Sequence, residues 1–233
     1  MNSKMFAGMT MAVTGLLSCE ATGLRAADYH PTINPLDFKS TIDNPYYPQV
    51  PGTVLTYTET DGGEVKVNEI TVTHDTKMVM GVLCVVVHDV VKSKGRVAED
   101  TYDWLAQDKD GTVWYFGEDT KEISPGGLVS TLGSWEAGIN GCQPGILLPG
   151  HPGPGDPYRQ EYGLGIAEDM GQVVAIAQSV KVPAGTFKDC VKTKDWSLLE
   201  SGHENKWYAR GVGVVREFGT DGAETVLTAI TQP

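Results

Sequence analysis

A chain of 233 residues, 40% hydrophobic and 21% charged, is globular material long enough for one large domain with a real core. Its formal net charge of -12 and pI near 4.8 argue against nucleic acid as a partner, because phosphates demand a Lys/Arg excess, and they equally disfavour docking on an anionic lipid surface.

Residues 1–27 read as an export signal. Lys4 supplies a short positive region, and Phe6 to Ser18 is an apolar stretch too short to serve as a stable membrane anchor. Two cleavage readings compete. Leu16-Leu17-Ser18-Cys19 is a degenerate lipobox in which Cys19 becomes the acylated N-terminus; alternatively a signal peptidase cuts after Ala26. Either way the expected location is outside the cytoplasm: periplasmic, secreted or anchored at the outer surface, with membrane contact only through that lipid.

Residues 28–51 carry five prolines and no hydrophobic period, so they should wrap the body in extended form, pinned by Tyr46 and Tyr47. Residues 52–233 form a single domain. Val54 to Thr58 and Val65 to His74 alternate as strands around a Gly62-Gly63 turn, and Met78 to Val91 continues the style. The segment Glu99 to Asp119 reads as a central hairpin turned at Lys109-Asp110-Gly111, with Trp104 and Trp114 opposite one another if the register is simple. Gly138 to Pro157 is a long Gly/Pro-rich loop around the apolar knot Ile146-Leu147-Leu148, expected to act as a lid. Tyr158 to Tyr162 and Ala167 to Val182 resume strand patterning, although Ile166 to Val174 also fits a short helix. Further strands follow at Thr186 to Asp195, Lys206 to Arg210, Val212 to Phe218 and Thr225 to Ile230. Roughly ten or more short strands without a sustained helical pattern predict an all-β fold, an antiparallel curled sheet or a lipocalin-like or half-barrel.

Three stretches carry a resemblance: NPYYPQVPGTVLTYTE at Asn44 to Glu59, VPAGTFKDCVKTKDW at Val182 to Trp196, and KWYARGVGVVREF at Lys206 to Phe218. Their order resembles that of uncharacterised exported bacterial proteins, lipoprotein-like half-barrel domains of the broad kind that carry or sense apolar molecules. The resemblance implies a barrel-like fold and exposure outside the cytoplasm; it implies no activity and transfers no functional residue.

Side-chain constellations give weaker leads. Asp108-x-Asp110-Gly111 imitates a calcium loop but lacks its first and last ligands, so a plain turn is expected there. The five histidines show no short metal-ligand spacing, and neither metal nor cofactor is expected. Cys84 and Cys190 lie in strands and are the pair most easily bridged in an exported chain; three buried thiols without bridges is the competing reading. Cys142 and His151 share a loop, the minimum for a cysteine nucleophile, while Ser134 and Ser197 lack a nucleophile context. His88 alternates with Cys84 and Val86, with Asp89 pointing the other way; on an inner face it would serve as base or ligand contact, while a strand-end histidine hydrogen-bonded to its neighbours is the commoner reading. Asp103, Glu161, Lys194, Arg210 and Glu217 fall inside strand patterns, the one hint of an interior with chemistry, although an outer surface is the commoner place for such charges.

The expected function is binding of a small apolar or aromatic ligand in the barrel mouth, with Tyr102, Trp104, Trp114, Trp135 and His151 as its lining. The alternatives are a cofactor-independent lyase, isomerase or hydrolase working through His88, Asp103, Arg159 and Glu161, and a structural envelope protein. Buried ionisable groups favour the enzyme, an apolar lining the binder and a filled core the structural protein.

Overall fold

The computed structural model describes residues 29–233; the leader and Cys19 lie outside the described residues. Short-period alternation and turn residues produce sixteen strands and no α-helix among these residues. They are β1 (Phe38–Lys39), β2 (Val54–Asp61), β3 (Glu64–Val79), β4 (Val82–Ser93), β5 (Arg96–Asp108), β6 (Val113–Ile123), β7 (Val129–Ser130), β8 (Trp135–Glu136), β9 (Gln143–Leu148), β10 (Tyr158–Arg159), β11 (Glu161–Tyr162), β12 (Asp169–Val182), β13 (Gly185–Ser197), β14 (Glu204–Ala209), β15 (Gly213–Gly219) and β16 (Glu224–Thr231). Asp169 to Val174 is strand rather than helix.

The sheet runs β10-β12-β13-β14-β15-β16-β2-β3-β4-β5-β6-β9-β11, every pairing antiparallel. Its two edge strands are consecutive in the chain and separated by Gln160 alone, so one short extended segment pairs with β12 through Tyr158 and Arg159 and with β9 through Glu161 and Tyr162. The result is a nearly closed barrel. Closure needs glycine at two contacts: a Cβ on Gly145 would collide with the Gln160 carbonyl, and one on Gly171 would sit 2.7 Å from the Tyr158 ring.

The apolar knot is therefore no lid. Ile146, Leu147 and Leu148 belong to β9 and pair with β6, with Leu147 and Leu148 buried. Gly/Pro density hid a strand whose pairing is supplied from elsewhere in the chain. Residues 138–142 and 149–157 remain as turn and loop, with His151 exposed on the second.

One end of the barrel, where the turns at 108–113 and 209–213 lie, is closed by residues 42–47. Gln107 is only 1% exposed, and its Oε1 accepts from the backbone N–H groups of Asp43 (2.9 Å) and Asn44 (2.7 Å). Asn44 Nδ2 donates to the Gly111 carbonyl at 2.8 Å, and Gly211 N–H donates to the Pro45 carbonyl at 2.7 Å. Tyr47 sits beneath them, edge-on to Tyr208 at 6.0 Å. The extended N-terminal segment is pinned as its tyrosines suggested, with Tyr46 lying against Arg210. This end of the lumen is apolar, filled by residues such as Leu55, Val72, Leu105, Val113 and Leu227.

The central hairpin forms, with a correction to its register. The register running out of the turn sets Ala106, not Trp104, opposite Trp114, and a bulge follows between Asp103 and Leu105. Trp104 lies instead on the outer face, with the Lys77 ammonium 3.1 Å from its ring centre and Gly117 against its edge. Asp108 organises the turn: its Oδ1 accepts from Asp110 N and Thr112 N, each at 2.9 Å, and its Oδ2 from Trp114 Nε1 at 2.9 Å. Both oxygens are committed, which accounts for the calcium-like spelling. Trp104, 7% exposed, should lose ~3–5 kcal/mol on change to alanine, and the half-buried Trp114 less, about 1–2 kcal/mol. Chemical denaturation of the two variants checks the order.

Candidate functional site

Alternation sends every second side chain of each stave into the lumen, and toward the end opposite the plug those side chains are acids. Glu59, Asp89, Glu99, Asp103, Glu118, Glu161, Asp195 and Glu217 are all buried, against only two buried ammonium groups, Lys66 and Lys206. Eight carboxylates cannot all ionise in a space of low dielectric, so several hold protons at neutral pH.

Two nodes organise the acids. At the first, Tyr115 lies 2.5 Å from Asp103 Oδ1 and 3.1 Å from Glu118 Oε2, and those two acids are register partners on β5 and β6. A phenol has one proton to donate, so both contacts are hydrogen bonds only if one of the carboxyls is itself protonated and donates back. Burial pushes the Tyr115 hydroxyl well above its ordinary range, and Asp103, Glu118 and Glu161 push it further. Trp135 packs edge-on against this ring at 5.4 Å.

At the second node, Lys206 Nζ reaches Glu204 at 2.9 Å, Glu217 at 3.6 Å and Asp195 at 3.7 Å. Burial alone would lower the lysine, but these carboxylates hold it charged, well above its usual value. Burial raises the Glu217 carboxyl to about 8 and that of Asp195 to about 6, in each case against the opposing pull of Lys206. Asp89 rises well above the usual carboxylate range, through burial first and then through the charges of Glu99 and Asp103. Lys66 pairs with Glu59 at 3.0 Å.

Above this acidic layer a cleft of about 880 Å³ opens between the start of β3, the β4–β5 turn with the first residues of β5, and the β6–β7 segment. Val97, Ile123, Leu128 and Val129 give it an apolar wall, and Leu128 and Val129 are strongly exposed. Lys66, Lys94, Arg96, Glu64 and Glu122 supply the charge. Glu64 already accepts from Ser93 Oγ at 2.6 Å, whereas Lys94 and Arg96 take part in no ion pair among the described residues. Lys66 belongs to both levels, lining the cleft while its ammonium reaches Glu59.

The residues singled out from sequence divide between the two faces. Asp103 and Glu161 come together around Tyr115. His88 does not join them: it is on the outer face, stacked on Tyr102 at 4.2 Å and bound to Asp100 Oδ1 at 2.7 Å, while its neighbour Asp89 points inward. Of the two readings of His88, the histidine bonded to its neighbours is the one seen, and a strand with Val on both sides gave no sign of which parity faces in. Arg159 is occupied by Glu168 at 3.6 Å and by the Tyr162 ring. Of the expected aromatic lining, Trp135 faces the lumen beside Tyr115, whereas Tyr102, Trp104 and Trp114 lie on the outer side and His151 is in the loop.

Among the five charged residues suspected of facing inward, Asp103, Glu161 and Glu217 do so. Lys194 stands over Trp196 and Arg210 over Tyr46. Sequence reasoning missed Glu59, Lys66, Asp89, Glu99, Glu118, Asp195 and Lys206 as inner residues. Their signal was present in spellings such as Glu99-x-Thr101-x-Asp103, where polar residues hold one parity of a strand.

Of the two thiol readings the unbridged one describes this structure, and no nucleophile is assembled at the cysteine or serine candidates. Cys84, Cys142 and Cys190 are buried and free, not bridged, and burial raises the Cys84 thiol to about 12. Cys142 makes no hydrogen bond to His151. Ser134 Oγ accepts from Thr120 N at 2.9 Å and donates to Thr120 O at 3.1 Å, a pin between strands rather than a nucleophile. No group of three or more His, Cys, Asp or Glu among the described residues is placed to hold a metal ion.

No family model and no curated protein matches the chain. Two solved structures resemble it. A "putative lipoprotein" from Parabacteroides distasonis is 17% identical, with a TM-score of 0.50 over 80% of this chain and 98% of that one. A "putative exported protein with YmcC-like fold" from Bacteroides fragilis is 17% identical, with a TM-score of 0.47 over 80% and 99%. At this identity the likeness to the first of them speaks for the fold alone, an antiparallel β-barrel.

Proposed function

We propose that the protein is an exported barrel that binds a small apolar or aromatic molecule in the cleft at its acidic end. The observation that carries the reading is the cleft itself. Its volume is that of a small-molecule site, and its wall leaves Leu128 and Val129 in water at 78% and 60% exposure beside Lys94 and Arg96, which make no ion pair among the described residues. An aromatic body would cover the apolar wall, and an anionic substituent would meet Lys94 or Arg96.

The buried acids are the pattern set out above for an enzyme, but Asp103 and Glu161 are at most 2% exposed and enclosed around Tyr115, so binding in the apolar-walled cleft is favoured over lyase, isomerase or hydrolase chemistry there. A substrate would have to open the barrel to touch them. Export rests on the leader and its basic-then-apolar order. Change of Cys19 to alanine should stop lipid-dependent membrane partition, and a soluble wild type starting at Ala27 would replace the anchored reading with a secreted one.

Titration with anilinonaphthalene sulfonate, an apolar aromatic anion, tests the site. Leu128→Asp and Val129→Asp should each weaken dye binding by about tenfold, the equivalent of ~1.4 kcal/mol, with the melting temperature unchanged because both side chains are exposed. Dye binding that survives both changes would place the ligand elsewhere.

A further inference from the structure

The β14–β15 turn lies at the plug, so the other end of β14, and with it the β13–β14 and β11–β12 loops, lies at the acidic end. These two loops put three aliphatic side chains into water: Leu164, Ile166 and Leu198 are 64%, 42% and 51% exposed. The loops are joined, because Leu198 N–H donates to the Glu168 carbonyl at 3.0 Å and Asp169 is the register partner of Ser197. Leu164 and Ile166 flank the tip of a tight turn in which Ile166 N and Ala167 N both donate to the Gly163 carbonyl at 2.8 Å and Gly165 takes a φ of 71°. Directly behind the tips, on the outer face of β13, Lys194 stands with its ammonium 5.5 Å from the ring centre of Trp196. Asn205 carries the same register row on to the exposed Phe218.

Aliphatic tips backed by an indole and an ammonium suit a membrane–water boundary, where the tips leave water and the ring and cation stay at headgroup depth. The start of the described chain argues for a lipid surface there rather than another protein. Tyr29 packs on Tyr162 with ring centres 5.4 Å apart, and its hydroxyl donates to the Pro144 carbonyl at 3.1 Å. Tyr162 stands two residues before Leu164, so the chain meets the barrel beside these loops. On the acylated reading of the leader, nine residues separate Cys19 from Tyr29. That length reaches at most about 36 Å, which keeps this corner of the barrel close to the membrane. The net charge of -12 selects zwitterionic over anionic lipid.

We propose that this corner docks on a zwitterionic phospholipid surface, with Leu164, Ile166 and Leu198 entering the acyl boundary and Trp196 and Lys194 lying among the headgroups. The contact adds a second hold on the membrane to the one a lipid on Cys19 would give. It shares no residue with the cleft, and dye binding in the cleft is measured without vesicles, so failure of either reading leaves the other standing.

Quenching by brominated lipid is the test. The exported protein with Leu164→Cys carries a nitrobenzoxadiazole label on the new thiol, the three described cysteines being buried. Leu36→Cys, at a still more exposed leucine beside β1 at the plug end, carries the control label. With excess phosphatidylcholine vesicles brominated on the acyl chains, the label at 164 should lose about half its emission or more, while the label at 36 keeps its own. Adding Leu198→Asp should cut the quenching at 164 by about threefold, with the melting temperature unchanged because that side chain is exposed. A label at 164 that is not quenched would leave the patch to a second copy or another protein, and equal quenching at 164 and 36 would mean a barrel with no preferred face toward the lipid; both overturn the proposal. Quenching indifferent to Leu198→Asp overturns it as well. A chain recovered without an acyl group is decided by the same readout, since the vesicles are in excess.

Discussion

Raising the pH from about 5 to about 9 should lower the stability of this protein by about 3 kcal/mol or more, seen as a fall in melting temperature of roughly 5–10 °C. The sign follows from the lumen. Burial raises the Glu217 carboxyl from 4.5 to about 8 and Asp195 from 3.8 to about 6, and burial likewise raises Asp169 to about 6. A carboxyl with a raised value in the fold binds its proton more tightly there than in the unfolded chain. Its contribution is fully present below the unfolded value and disappears as pH climbs through the folded one, here between about 4.5 and 8. Lys206 does not offset this, because its own raised value moves its loss of charge to more alkaline solution. Glu217→Gln keeps the shape and removes the largest of these titrations, so its melting temperature should vary less with pH and exceed that of the wild type at about pH 9. A wild-type profile that rises from mildly acidic to alkaline pH would show the lumen carboxylates to be ionised and well solvated.

How much of this lumen could be read from the chain depends on the strand. Alternation in Val65 to His74 and the Asp110-Gly111 turn marked the hairpins correctly, since period and positive-φ turns are local properties. The inward parity was another matter. In β5 Trp104 and Leu105 are both buried on opposite faces, and in β4 Val85, Val86 and Val87 are all buried, so hydrophobicity alone does not mark the lumen. The charged residues marked it better. Glu99, Thr101 and Asp103 keep one parity, and Lys206 and Glu217 meet across β14 and β15. Base rates for surface charge pointed the other way, and they failed because enough acids share one enclosed space to keep one another protonated. The hidden strand β9 was illegible for a different reason: its glycine and proline weaken any local preference, and its pairing with β6 and β11 comes from residues distant in the chain.

The same strand gives the other large effect. Gly145→Ala should cost at least about 3 kcal/mol, because its new methyl group would meet the backbone of Gln160 and Glu161 rather than the end of a flexible side chain. That backbone has little room to retreat. Gln160 is the one residue between β10 and β11, and its side-chain Nε2 lies 3.4 Å from Asp195 Oδ2 and 3.5 Å from the Leu147 carbonyl. Moving it outward would break the pairing of Glu161 with Pro144 on one side or of Arg159 with Met170 on the other, and so part the barrel at its narrowest closure. Gly153→Ala is the control, for a Cβ there meets nothing and its backbone is not left-handed. Hydrogen exchange separates a local from a global loss: Gly145→Ala should expose the amides of β9, β10 and β11 first, while the β2 to β5 staves keep their protection. If Gly145→Ala melted with the control, the seam would be a loose overlap able to shift by a methyl group, and the lumen acids next to it, Glu161 above all, would have to be reached by water through that gap.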